Sequence, residues 1–146
     1  MNIAFGCDHG GFAYKQEVLD FLKSKGHIVK DFGTFSIDSC DYPDYAIPVS
    51  EAVSLGEFDY GILICGTGIG MSIIANKVKG IRCAHVNDCF SAEMTRRHNN
   101  SNVIALGARI ASIEEIIDYI DIFLKTPFDG NRHLNRIEKI SKYENK

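Results

Sequence analysis

The chain has 146 residues, a formal net charge of -3 and 45% apolar side chains, the balance of one ordinary globular domain rather than of a disordered or low-complexity segment. A mildly acidic chain lacks the basic domain or stripe of a nucleic-acid binder, and no apolar run approaches the ~18 residues of a membrane span. The opening MNIAFGCDHGG has neither the basic start nor the small-residue cleavage site of a secretory signal, so a cytoplasmic protein is expected.

Strand-length apolar runs alternate with helical patterns along the whole chain. Asn2–Gly6 reads as a short buried strand, and Gly11–Lys25 as a helix with Tyr14, Val18, Phe21 and Leu22 on one face. Gly26 is its expected stop. Ile28–Phe32 is a second strand, followed by a helix over Asp44–Leu55 that tolerates Pro48 only in its first turn. Tyr60–Cys65 is the most strand-like run, and Ile69–Lys77 is helical. Ile81–Val86 is the fourth strand; Asp88 is placed to N-cap a helix over Cys89–Asn99. Val103–Leu106 is the fifth strand. Ser112-x-x-Glu115 is a capping box opening a helix with Ile113, Ile116, Ile117, Ile120 and Phe123 in phase. A break at Pro127–Asn131 precedes a short polar C-terminal helix.

This alternation predicts βαβ units: one doubly wound α/β domain over residues 1–146, with a five-stranded parallel sheet covered on both faces. Such sheets bind ligands outside the carboxyl ends of their strands. Two glycine-rich loops fall there. The first strand runs into Gly6-Cys7-Asp8-His9-Gly10-Gly11, the third into Cys65-Gly66-Thr67-Gly68-Ile69-Gly70. Glycines at a strand-to-helix turn let amide N–H groups approach an anion; their bland role is a tight turn. GTGIG is neither a dinucleotide fingerprint nor a P-loop. A cysteine phosphatase would need arginine where Met71 stands.

Cys65 ends its strand beside a helix start, which suits a thiol base or nucleophile, although buried cysteine is often only a small hydrophobe. Asp8 and His9 offer an acid–base pair, or a hydrogen bond that orders the loop. His98 is a chemical acid or a helix C-terminal cation. Arg132 and Arg136, one helical turn apart, converge on a phosphate or line a solvated face. The five cysteines form no CxxC and no disulfide framework, and the close pairs Cys7-x-His9 and Cys83-x-His85 cannot close a four-ligand zinc site. No metal and no cofactor is expected.

The stretches GCDHGGF, DYPDYA, LICGTGIGMSIIANKVKGIRCA, RRHNNSNVIALGARI and GNRHLNRI, spread over residues 1–137, resemble the type B ribose-5-phosphate isomerases, a family that includes allose- and galactose-6-phosphate isomerases. The resemblance implies roles. Cys65 is the base that takes the carbon-bound proton. Ile69 stands where a serine-bearing branch has its glutamate base, which places this chain in the cysteine branch. Thr67 helps move protons between oxygens, and the backbone of Gly66, Thr67, Gly68, Ile69 and Gly70 is the enediolate hole. His98 opens the furanose ring. Asp8, His9 and Asn99 bind sugar; Arg109, Arg132 and Arg136 bind phosphate; Tyr42 and His133 line the site. The implied activity is ribose 5-phosphate to ribulose 5-phosphate isomerisation. The alternatives are a six-carbon sugar-phosphate isomerase and, from another class, a sugar-phosphate- or nucleotide-binding module without catalysis.

Topology and resemblance conflict at one point. The Cys89–Asn99 helix starts at the carboxyl edge and carries the chain about 15 Å away, yet His98 and Cys65 are assigned to one site. A two-fold homodimer with composite sites removes the conflict; a dimer of dimers is compatible with it.

Overall fold

The computed structural model describes residues 1–146. The elements are β1 (Asn2–Cys7), α1 (Phe12–Ser24), β2 (Ile28–Asp31), α2 (Pro43–Ser54), β3 (Tyr60–Cys65), α3 (Ile69–Ala75), β4 (Cys83–His85), α4 (Cys89–Asn99), β5 (Val103–Gly107), α5 (Ile113–Lys125) and α6 (Arg132–Glu144). The sheet is parallel throughout, in the order β2-β1-β3-β5-β4. Its alternating residues feed two cores. Ile3, Phe5, Ile62, Ile64, Ile104 and Leu106 pack under α1, α4 and α5. Ala4, Leu63, Cys65, Val103 and Ala105 pack under α2 and α3. Both faces are covered, which explains why the strands read as continuous apolar runs.

The cap signals act as expected. Asp88 accepts from the Ser91 amide at 2.7 Å. At the head of α5, Ser112 and Glu115 each bond the other's backbone amide. Gly26 takes the left-handed conformation, φ 80°, that ends α1.

Three expectations need correction. Pro48 lies inside α2, beyond its first turn. The ring removes the donor to the Asp44 carbonyl, and Asp44 is exposed, so that carbonyl can turn to solvent. The fourth strand is only Cys83–His85, an edge strand that pairs on one side alone, with β5. The C-terminal helix, expected to be short, spans 13 residues and is held by buried His133 and Ile137.

The register brings three strand ends together. Cys7 lies opposite Ile64, and Cys65 opposite Gly107. The chain leaves β1 on both sides, to β2 and to β3, so the carboxyl ends of β1 and β3 flank a topological switch point.

Candidate active site

A pocket of about 230 Å³ sits at that switch point, walled by Asp8, His9, Gly10, Tyr42, Cys65, Gly66, Thr67, Gly70 and Arg109. Glycines are required where the chains touch. A Cβ on Gly10 would lie 2.7 Å from the Gly66 amide nitrogen, and one on Gly70 would lie 2.7 Å from the Tyr42 ring. Asp8 Oδ1 accepts from the amides of Gly10 (2.8 Å) and Gly11 (3.2 Å), so this oxygen orders its own loop. His9 Nδ1 accepts from the Cys40 amide at 3.2 Å. The imidazole proton therefore sits on Nε2, and His9 is a donor on its free side. The Arg109 side chain packs on Gly66, and its amide donates to the Gly66 carbonyl at 2.9 Å.

Cys65 is buried at 5% exposure, with the Gly68 amide donating to its Sγ at 3.0 Å. The Ile69 amide is engaged by Thr67 Oγ1 at 3.4 Å. The amides of Gly66, Thr67 and Gly70 donate to nothing in the chain. Gly68 and Ile69 hold the loop's shape and do not wall the pocket, and the Ile69 side chain points outward at 51% exposure. The arrangement offers an acceptor sulfur, free amide donors for an anion, a histidine donor and a guanidinium around one small cavity. Elsewhere in the chain, burial pushes the thiols of Cys7, and of Cys83 at the edge strand, up to about 12.

The remaining candidates form a second cluster at the opposite edge of the sheet. The His98 and His133 rings stack 4.4 Å apart. Arg136 Nη1 lies 3.4 Å from His133 Nδ1, which therefore accepts. Burial first, then His98, Arg132 and Arg136, hold the His133 imidazole below its ordinary value of 6.5. Arg132, Arg136 and Asn99 are exposed. His98, Asp129 and His133 bring three possible metal-ligand atoms within 4.8 Å of one another. Arg97 already holds Asp129 at 3.1 Å and Arg136 faces His133, so the local charge favours an anion over a dication.

Buried Arg96 fixes this end of α4. Its guanidinium donates to Ser101 O (2.6 Å), Asn100 Oδ1 (2.9 Å), Tyr60 Oη (2.9 Å) and Thr126 O (3.3 Å). Arg82 adds bonds to the carbonyls of Asn99 and Asn100. Arg82 directly precedes β4, so α4 ends level with the strands' amino ends. Four residue steps along β5, from Val103 to Gly107, separate that level from Cys65, about 13 Å along the strand. None of His98, Asn99, Arg132, His133 or Arg136 walls the Cys65 pocket. A larger cleft of about 750 Å³ between α4, α6 and β4 touches the candidates only at Asn99.

Two neighbours of the site escape sequence reasoning. Cys40 orients His9 through its backbone, which leaves no residue-type signal. His85, seen only as half of a close Cys/His pair, donates from Nε2 to the Thr67 carbonyl at 2.7 Å. The sequence pattern runs that strand on to Val86, which hides His85 at its carboxyl end.

The chain is similar to known proteins along nearly its whole length. The pattern of the ribose/galactose isomerases matches residues 3–140. Ribose-5-phosphate isomerase B of Escherichia coli is 46% identical, over 97% of this chain and 95% of that protein. The structure of Clostridium thermocellum ribose-5-phosphate isomerase B superposes with a TM-score of 0.97 at 49% identity, covering 99% of this chain and 98% of that one. Ribose-5-phosphate isomerase B of Mycoplasma genitalium, solved with bound ribulose 5-phosphate, gives 0.96 at 42% identity, with 99% and 97% covered. With its full-length match, its parallel sheet and its glycine loops at the carboxyl edge, the chain belongs to the ribose/galactose isomerase family.

Proposed function

We propose that the protein interconverts ribose 5-phosphate and ribulose 5-phosphate through an enediolate. One observation carries the reading: Cys65 Sγ accepts a hydrogen bond beside three free loop amides, in a pocket that also holds His9 and Arg109.

The steps balance without a cofactor. His98 gives a proton to the ring oxygen, the C1–O bond breaks, and the C1 hydroxyl releases its proton to water, from which His98 is reprotonated, so the furanose opens with no net proton change. The Cys65 thiolate takes the proton from C2, and the electron pair forms the C1=C2 bond while negative charge moves onto O1. The amides of Gly66, Thr67 and Gly70 stabilise that charge. The Thr67 hydroxyl passes the O2 proton to O1, and Cys65 returns its proton to C1. Asp8, His9, Tyr42 and Asn99 hold the sugar. His98, Asn99, Arg132, His133 and Arg136 come as a unit from a second copy of the chain, since one copy keeps them at the wrong edge of its sheet. Arg109 accompanies Cys65. The arginines anchor the phosphate and fix the reacting carbons against the sulfur. A cytoplasmic homodimer acting on a free sugar phosphate fits this reading.

The family description spans ribose and galactose, which favours a six-carbon sugar phosphate as the second reading. The ratio of kcat/KM for ribose 5-phosphate over allose 6-phosphate decides between them; a ratio above one supports the pentose. Solvent deuterium should appear in ribose 5-phosphate during turnover, and none would appear with a pure binder. Full activity should survive exhaustive EDTA treatment. Loss that only a divalent metal restores would overturn the cofactor-free scheme.

A further inference from the structure

We infer that His85 is a positioning residue for Cys65, acting through the Thr67–Gly68 peptide. The inference rests on Cys65 as the base and adds a residue to that reading. The Thr67 carbonyl can only accept, so the 2.7 Å contact makes His85 Nε2 a donor and leaves Nδ1 without a proton when the ring is neutral. The same peptide unit presents the Gly68 N–H to Cys65 Sγ at 3.0 Å. A peptide is planar, with its C=O and N–H pointing in opposite directions. Holding the carbonyl on one side therefore aims the amide at the sulfur on the other. The bond to the carbonyl also polarises the amide, which strengthens its hold on a thiolate.

The surroundings are shaped for this clamp. Gly68 has φ 79°, and a Cβ there would lie 2.9 Å from His85 Cδ2. A Cβ on Gly107 would lie 2.7 Å from the Thr67 carbonyl carbon and oxygen. The peptide is thus held between the end of β4 and the end of β5. A glycine at positive φ has several backbone alternatives. Without the His85 bond, the peptide is free to turn its N–H away from the sulfur. The other polar groups walling the pocket, Asp8 and His9 after β1, Tyr42 just before α2 and Arg109 after β5, make no hydrogen bond to this peptide's carbonyl.

His85→Phe keeps a ring against Gly68 and removes the donor, whereas His85→Gln keeps a side-chain N–H. In His85→Phe we expect kcat to fall about tenfold or more, part of the ~10²–10³-fold loss seen when a donor to developing charge is removed, with KM changed less than about twofold. Iodoacetamide should alkylate Cys65, followed on its own peptide by mass spectrometry, about tenfold more slowly at neutral pH. His85→Gln should recover most of both losses. A kcat within twofold of wild type, or an unchanged Cys65 alkylation rate, overturns the clamp. Nitrogen NMR of the wild-type protein tests it without any variant: the neutral His85 ring should carry its proton on Nε2, and an Nδ1–H tautomer contradicts the clamp. Activity retained in Cys65→Ala would instead overturn the base assignment itself and leave the tautomer result standing.

Discussion

At the scale of the residue, the fold separates one cysteine from the others. Burial pushes the thiols of Cys7 and Cys83 up to about 12, and for Cys7 it outweighs both Lys15 and the Thr34 backbone amide, which act in the opposite direction. Cys65 is also buried, yet the Gly68 amide donates to its sulfur and free amides stand beside it. Cys65→Ala should therefore lower kcat by more than ~10²-fold, the low end for acid–base catalysis, while inorganic phosphate still binds. A variant within tenfold of wild type would remove the sulfur from the mechanism. Iodoacetamide should inactivate the wild-type enzyme through Cys65, and ribose 5-phosphate should protect it; modification of Cys7 under the same conditions would contradict its burial. Cys65, Thr67 and the glycines were legible because strand end and helix start coincide in the sequence. His85 was not, because its effect passes through another residue's peptide.

At the scale of the element, α4 and α6 act as one arm. Arg96 is a buried cation without a carboxylate, satisfied by carbonyls and by Tyr60. Arg96→Ala should cost about 3 kcal/mol or more in chemical denaturation, since each buried partner left unpaired costs about 1–3 kcal/mol, and should lower kcat by loosening His98. Unchanged stability would mean that the arm stands without it. Arg132→Ala and Arg136→Ala should raise KM more than they lower kcat if the contact is uniform binding; an unchanged KM in both would take them out of the phosphate site.

His133 gives the same arm a pH response. Its imidazole is held below 6.5 in the folded chain, mainly by burial, so the unfolded chain binds the proton more readily. Its contribution is whole above that ordinary value and is lost as pH falls through the lowered one. Thermal scans across this window should show an acid-side loss that His133→Asn reduces; an identical loss in the variant would contradict it. The elements themselves were largely readable from caps and periodicity. The placing of β5 between β3 and β4, and the full length of α6, were not. Strand order depends on which face each crossover covers, and α6 shows few apolar residues because only one stripe of it is buried.

At the scale of the whole molecule, the candidate site residues fall into two groups at opposite edges of one sheet. The pocket of Cys65, His9 and Arg109 lies at the carboxyl edge, and the cluster of His98, His133, Arg132 and Arg136 at the amino edge. Neither half alone carries both a base and a ring-opening acid. In the proposed homodimer, a two-fold axis brings each half to the other's complement in both sites at once. The most direct measurement mixes inactive Cys65→Ala and His98→Ala chains in equal amounts, unfolds them partially and refolds them together. Half of the dimers formed are mixed, and one of the two sites in each has both groups intact, so the account predicts recovery of up to about a quarter of wild-type activity. Zero recovery with the mixed dimer present would mean that Cys65 and His98 serve from the same chain, and would contradict the composite site.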